Sequence, residues 1–193
     1  MKRAVLVIVF FALSVGPAFP SEAFLSITGL GVFQYGVFQG VAPGLSGYLE
    51  LDNLLVTKDY FKTDPSFYYV GFGYVSDCTV QYGYQFRMGA VTVIPTVGFG
   101  LNFGQLGGIF YNAYVPVSLI VGLINTDRLE LRCWAQIQNY FAAQDGMYYH
   151  IGGKVAVDLA IRWDNWGLYV EPIGGGGGSQ GLIGLRVGTT VRW

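Results

Sequence analysis

From Phe24 to the C-terminus, apolar residues return at every second position, the period of β-strands with one apolar face. The clearest stretch is 79–88, where Val80, Tyr82, Tyr84, Phe86 and Met88 share one face and Thr79, Gln81, Gly83, Gln85 and Arg87 the other. In 91–103 the apolar series is Val91, Val93, Pro95, Val97, Phe99, Leu101 and Phe103. Leu129, Leu131, Cys133, Ala135 and Ile137 then oppose Glu130, Arg132, Trp134, Gln136 and Gln138. Tyr149, Ile151, Val155, Val157, Leu159 and Ile161 oppose His150, Lys154, Asp158 and Arg162, and Ile183, Leu185, Val187, Val191 and Trp193 oppose Arg186, Thr190 and Arg192.

Weaker alternation over 24–38, 47–56, 67–76, 113–124 and 167–173 brings the count to ten strands, with eight as the alternative if 39–76 is one large loop. Several strands reach about 10 to 14 residues, whereas strands of soluble sheets average about five or six and a tilted strand crosses a bilayer in about 9 to 11. Connections at 88–90, 125–128 and 163–166 are short, and those at 104–112, 142–147 and 174–180 are expected to be longer loops alternating with them. Short turns on the periplasmic side and long loops outside would put both Phe24 and Trp193 in the periplasm. The segment 57–66 reads as a long turn.

Composition decides which way the apolar faces point. The chain is 52% hydrophobic and only 12% charged, about half the charge of an ordinary soluble domain. After the N-terminus no run of about 18 or more apolar residues could form a spanning helix. Glu50, Asp52, Arg87, Glu130, Arg132, Lys154, Asp158, Arg162, Glu171, Arg186 and Arg192 all fall opposite their strand's apolar series. So thinly charged a face, rich in Gly, Thr, Gln and Arg, suits a confined lumen, whereas each charge on the lipid face would cost about 2 to 4 kcal/mol at mid-bilayer. Open sheet edges in hydrocarbon leave backbone groups unpaired, so the strands must close. The expected fold is an all-β, transmembrane, antiparallel up-and-down barrel. A net charge of −1 excludes the electrostatic footprint of nucleic-acid binding.

Ahead of the barrel, Lys2 and Arg3, the apolar stretch from Ala4 to Val15, and Ser21-Glu22-Ala23 read as a secretory signal peptide cleaved after Ala23. The domain division is therefore 1–23, leader, and 24–193, barrel. Cys78, expected at a turn, and Cys133, expected mid-strand facing lipid, are not expected to pair. Two cysteines and one histidine cannot supply a zinc site, and neither metal nor cofactor is expected.

Tyr and Trp favour membrane interfaces. Tyr111, Tyr114, Tyr140 and Tyr148 are expected at the outer rim, and Trp163, Trp166 and Trp193 at the inner one. The run GGGGGS at 174–179 lacks the lysine and helix of a phosphate loop and is expected to be a flexible hairpin tip. Leader, alternating strands, aromatic rims and a final strand GLIGLRVGTTVRW ending in an aromatic together resemble the small outer-membrane barrels of diderm bacteria, the OmpA-, OmpX- and OmpW-type class. That resemblance implies an outer-membrane location, lipid as surroundings, and recognition of the strand ending at Trp193 by the barrel assembly machinery.

Enzymes within that class need a supported histidine near one rim. His150 is followed by Ile151-Gly152, so the His-x-Ser element of lipid A deacylases is missing, and no enzymatic activity is expected. The expected lumen network is Arg87, Glu130, Arg132, His150, Lys154, Asp158, Arg162, Glu171 and Arg186. The functional expectation is a membrane scaffold whose outer loops meet an extracellular partner. The alternatives are a narrow channel for small or hydrophobic solutes, helped by lumen glycines such as Gly98, Gly100, Gly152 and Gly184, and an enzyme of lipid-modifying or proteolytic type.

Overall fold

The computed structural model describes residues 21–71, 73–105, 109–142, 148–177 and 180–193. Eleven strands follow in chain order: β1 (Ser21–Gln34), β2 (Val37–Asp52), β3 (Asp59–Val70), β4 (Gly73–Tyr84), β5 (Phe86–Met88), β6 (Val91–Gln105), β7 (Ile109–Asn125), β8 (Leu129–Ala142), β9 (Tyr148–Trp163), β10 (Trp166–Gly177) and β11 (Gln180–Arg192). Except for β4 and β5, which are not paired with each other, chain neighbours pair antiparallel; β1 pairs with β11 and β4 with β6, which closes the sheet into a barrel. β5 extends the β4–β6 ladder past a break at Gln85, for Gly83 faces Thr96 and Phe86 faces Val93 in unbroken register. The barrel thus has ten strands, the expected number, with β5 as a short appendage.

The alternation resolves as the charge pattern required. Ile27, Val97, Val155 and Ile183 stand exposed on the outer wall, as do Val80, Tyr82 and Leu185, while Arg132, Arg162, Glu171 and Arg186 are buried inside. This is a membrane-spanning barrel turned apolar side out. Its interior is filled in layers: Leu30, Ala42, Tyr60, Ile94, Ile120, Trp134, Ala156 and Ile173 pack together across the lumen, and Phe24, Tyr48 and Tyr169 form a second aromatic group.

In the first half of the barrel the strand bounds depart from those expected. Residues 57–66 are not a long turn, because β3 begins at Asp59, and the segment 67–76 straddles the β3–β4 connection. The outward positions of β3 are Phe61, Thr63, Pro65 and Phe67, a weakly apolar series, while Lys62 and Asp64 point inward yet read as turn residues. Likewise 24–38 contains the two-residue turn Tyr35-Gly36, whose positive φ values of 51° and 78° match the twist of the flanking strands. Cys78 lies within β4 rather than at a turn, and both cysteines are free.

Strands take up most of two of the expected outer loops, 104–112 and 174–180, while 106–108, 143–147 and 178–179 lie outside the described residues. At the end opposite the termini the connections are 35–36, 71–72, 106–108, 143–147 and 178–179, none longer than five residues. The other end holds the start of β1, the end of β11 and the connections 53–58, 89–90, 126–128 and 164–165. Gly174–Gly177, expected in a loose tip, pair on both sides with β9 and β11. Glycine fits there because the neighbouring backbones leave no room for a side chain: a Cβ on Gly175 would fall 2.5 Å from the Gly153 carbonyl oxygen.

Candidate functional site

Every second residue of the strands projects into the lumen, and the charged ones among them meet in three groups. The largest lies toward the end that holds the termini. Arg162, on β9, is held by both carboxylate oxygens of Glu22 on β1, at 2.8 and 2.7 Å, and also touches Glu130 on β8. Glu130 pairs in turn with Arg132 Nε at 2.9 Å. Arg132 reaches across the lumen to Glu50 Oε2 at 2.6 Å and to Asp158 Oδ2 at 3.3 Å. Glu50 accepts from the Tyr60 hydroxyl at 2.6 Å, and Lys62 Nζ stands 3.8 Å from its carboxylate and 4.2 Å from the centre of the Tyr48 ring. A chain of alternating charge, Glu22–Arg162–Glu130–Arg132–Glu50–Lys62, therefore spans the barrel from wall to wall.

The second group centres on Arg186 of β11, whose guanidinium lies 3.3 Å from Glu171, 3.4 Å from Asp64 and 3.3 Å from the Tyr68 hydroxyl. The third lies nearer the opposite end. Asp77 accepts from Lys154 at 2.7 Å and from the Tyr114 hydroxyl at 2.6 Å. Beside it a ribbon of neutral hydrogen bonds runs from Tyr140 through Gln138, Gln136 and Ser118 to Gln81, which also accepts from Thr96. Desolvated ions cost several kcal/mol each unless paired, and these groups supply the pairing.

Of the residues expected in the lumen network, Glu130, Arg132, Lys154, Asp158, Arg162, Glu171 and Arg186 come together in these groups. Arg87 does not. It sits on β5 at the barrel end, exposed, because the strand there has run past the lumen. The side chain of His150 lies outside those described. Glu22 enters from a segment expected in the leader, and Lys62, Asp64 and Asp77 from segments expected as turns. Their shared inward parity with Tyr60, Ser66, Thr79 and Gln81 was the signal that could have found the last three.

The aromatic expectations divide. Tyr111 is exposed on the outer wall, and Trp163 and Trp166 are exposed with ring centres 5.1 Å apart at the end that holds the termini, where Trp193 also lies, half-buried. Tyr114 is not a rim residue: it is fully buried in the lumen, and its ring lies 4.8 Å from that of half-buried Tyr140. Tyr148 has its side chain outside those described. Three of the lumen glycines stand against large side chains. A Cβ on Gly100 would meet the Tyr114 ring at 2.2 Å, one on Gly184 would meet Leu30 at 2.3 Å, and one on Gly152 would meet Tyr140 at 3.1 Å, so large side chains already fill the space the glycines leave.

Comparison with solved structures places this architecture among bacterial outer-membrane barrels. The outer membrane protease OmpT from Escherichia coli superposes with a TM-score of 0.54 at 9% identity, over 93% of this chain and 100% of that one. The translocator domain of the autotransporter NalP from Neisseria meningitidis gives 0.54 at 12% identity, over 100% and 94%. The β domain of the Bordetella autotransporter Brka gives 0.55 at 9% identity, over 91% and 100%. At these identities the likeness is one of fold. No protein-family model matches the chain, and no curated protein matches it.

Proposed function

We propose that this chain is a non-conducting barrel of the bacterial outer membrane that serves as a membrane-embedded scaffold, with its rim exposed to an extracellular partner. One observation carries the reading: the ion-pair chain from Glu22 to Lys62 and the adjoining apolar cluster of Leu30, Ile94, Ile120, Trp134 and Ile173 together fill the lumen. A barrel of about eight strands is just filled by its own side chains, whereas aqueous channels take about 16 to 18. Ten strands with this filling fall on the closed side. The short connections move the partner surface from loops to the rim itself, where Tyr35, Phe38, Tyr69, Ile109 and Tyr111 are exposed. The final strand ending at Trp193 supports insertion by the barrel assembly machinery, with the termini on the periplasmic side. Conductance across planar bilayers tests the proposal: the purified barrel is expected to give no steady unitary currents, and well-resolved channels would overturn it.

A further inference from the structure

Among the described residues, Lys62, Arg132, Lys154, Arg162, Arg186 and Arg192 each hold a carboxylate, whereas Lys58, Arg87 and Arg128 have no ion pair. All three stand at the end that holds the termini, on the 53–58 connection, β5 and the 126–128 connection. Two of them, Lys58 and Arg87, line one groove of about 390 Å³ on the outside of the barrel. The rest of that groove includes Tyr84 and a strip of lipid-facing residues, Val93, Pro95 and Leu119.

The cationic head of the groove is built rather than incidental. Lys58 has a φ of 73°, its N–H donates to Asn53 Oδ1 at 2.7 Å, and its carbonyl accepts from Gln85 N–H at 2.8 Å, which ties the 53–58 turn to the break between β4 and β5. The carboxylate next to Lys58, that of Asp59, is buried and accepts from the N–H groups of Leu54, Leu55 and Val56 and from the Tyr82 hydroxyl. Asp52 accepts from the Gln85 side chain. The local acids are thus committed to the turn and to Gln85, and the two exposed cations share the groove with an apolar wall at the level where Tyr84 and Phe86 pack ring to ring at 5.2 Å.

We propose that this groove holds one glycerophospholipid with an anionic headgroup, its phosphate between Lys58 and Arg87 and an acyl chain along Val93, Pro95 and Leu119. Lysine and arginine are the side chains that bind phosphate by charge-assisted hydrogen bonds, and basic pockets above apolar walls are how membrane proteins hold lipid heads. The site rests on the periplasmic placement of this end, which makes inner-leaflet phospholipid the source.

Native mass spectrometry of the full barrel, released from detergent micelles doped with phosphatidylglycerol, phosphatidylcholine or lipid A, tests the site. The wild type is expected to retain one phosphatidylglycerol over phosphatidylcholine, and K58Q/R87Q to lose that retention by roughly tenfold, while R128Q keeps it. Equal retention by wild type and K58Q/R87Q would overturn the site, and preferential retention of lipid A by the wild type would overturn the phospholipid as occupant. Heat-modifiable gel mobility confirms that both variants are folded. Conducting channels, which would end the scaffold reading, leave this measurement untouched.

Discussion

Arg132 shows what a single inward charge is worth. It touches Glu130, Glu50 and Asp158, so R132M takes an ion partner from three buried carboxylates, leaves Asp158 with only the Trp134 hydrogen bond, and is expected to destabilise the barrel by about 3 to 5 kcal/mol, measured by urea unfolding in lipid vesicles. On the outer wall the reverse change is costly: V155K places a cation in lipid and is expected to cost about 2 to 4 kcal/mol in the same assay. G100A drives a methyl group into the Tyr114 ring and is expected to cost about 1 to 3 kcal/mol, whereas in a Y114A background, itself destabilised, the same change is expected to cost little more. Parity made most of the lumen legible in advance, since each of Glu130, Arg132, Asp158, Arg162, Glu171 and Arg186 alternates with unmistakably apolar neighbours. It was not applied to Tyr114. In β7 the outward series is Tyr111, Val117, Leu119 and Val121, and Tyr114 belongs with Ser118 and Ile120 on the other face. An aromatic near a strand end is a rim residue only when its face agrees.

At the scale of the strand, the barrel could be read from Thr79 onward and only in part before it, for a physical reason. β8, β9 and β11 face lipid with near-continuous Leu, Ile and Val, whereas β3 offers lipid two phenylalanines separated by Thr63 and Pro65 and turns Lys62 and Asp64 inward. Its polar half then mimics a turn. The strand bounds also bear on the leader. β1 begins at Ser21, and Glu22 lies opposite Arg192 and holds Arg162. Cleavage after Ala23 would take that carboxylate away and leave Arg162 to Glu130, which also serves Arg132 and Arg192. The intact mass of the mature chain reads which arrangement exists. In a chain that keeps Glu22, E22Q is expected to lower the unfolding midpoint, and in a chain that begins at Phe24 the same substitution leaves it unchanged.

For the molecule as a whole, the short gaps between strands at the rim opposite the termini divide the barrel from its surroundings very simply. Most of the chain between Ser21 and Trp193 is strand, and at that rim no gap between strands exceeds five residues. Proteases need an extended segment of several residues to enter their clefts, and hydrogen-bonded strand ends do not supply one. With this rim facing outward, proteinase K added to intact cells is expected to leave the barrel uncut, and fragments appearing without disruption of the membrane would contradict the orientation. The same brevity governs recognition by antibodies. With this rim outward, an immunoglobulin would meet the exposed side chains of Tyr35, Phe38, Tyr69 and Tyr111 between gaps of at most five residues, a surface with little to cut and little to remember.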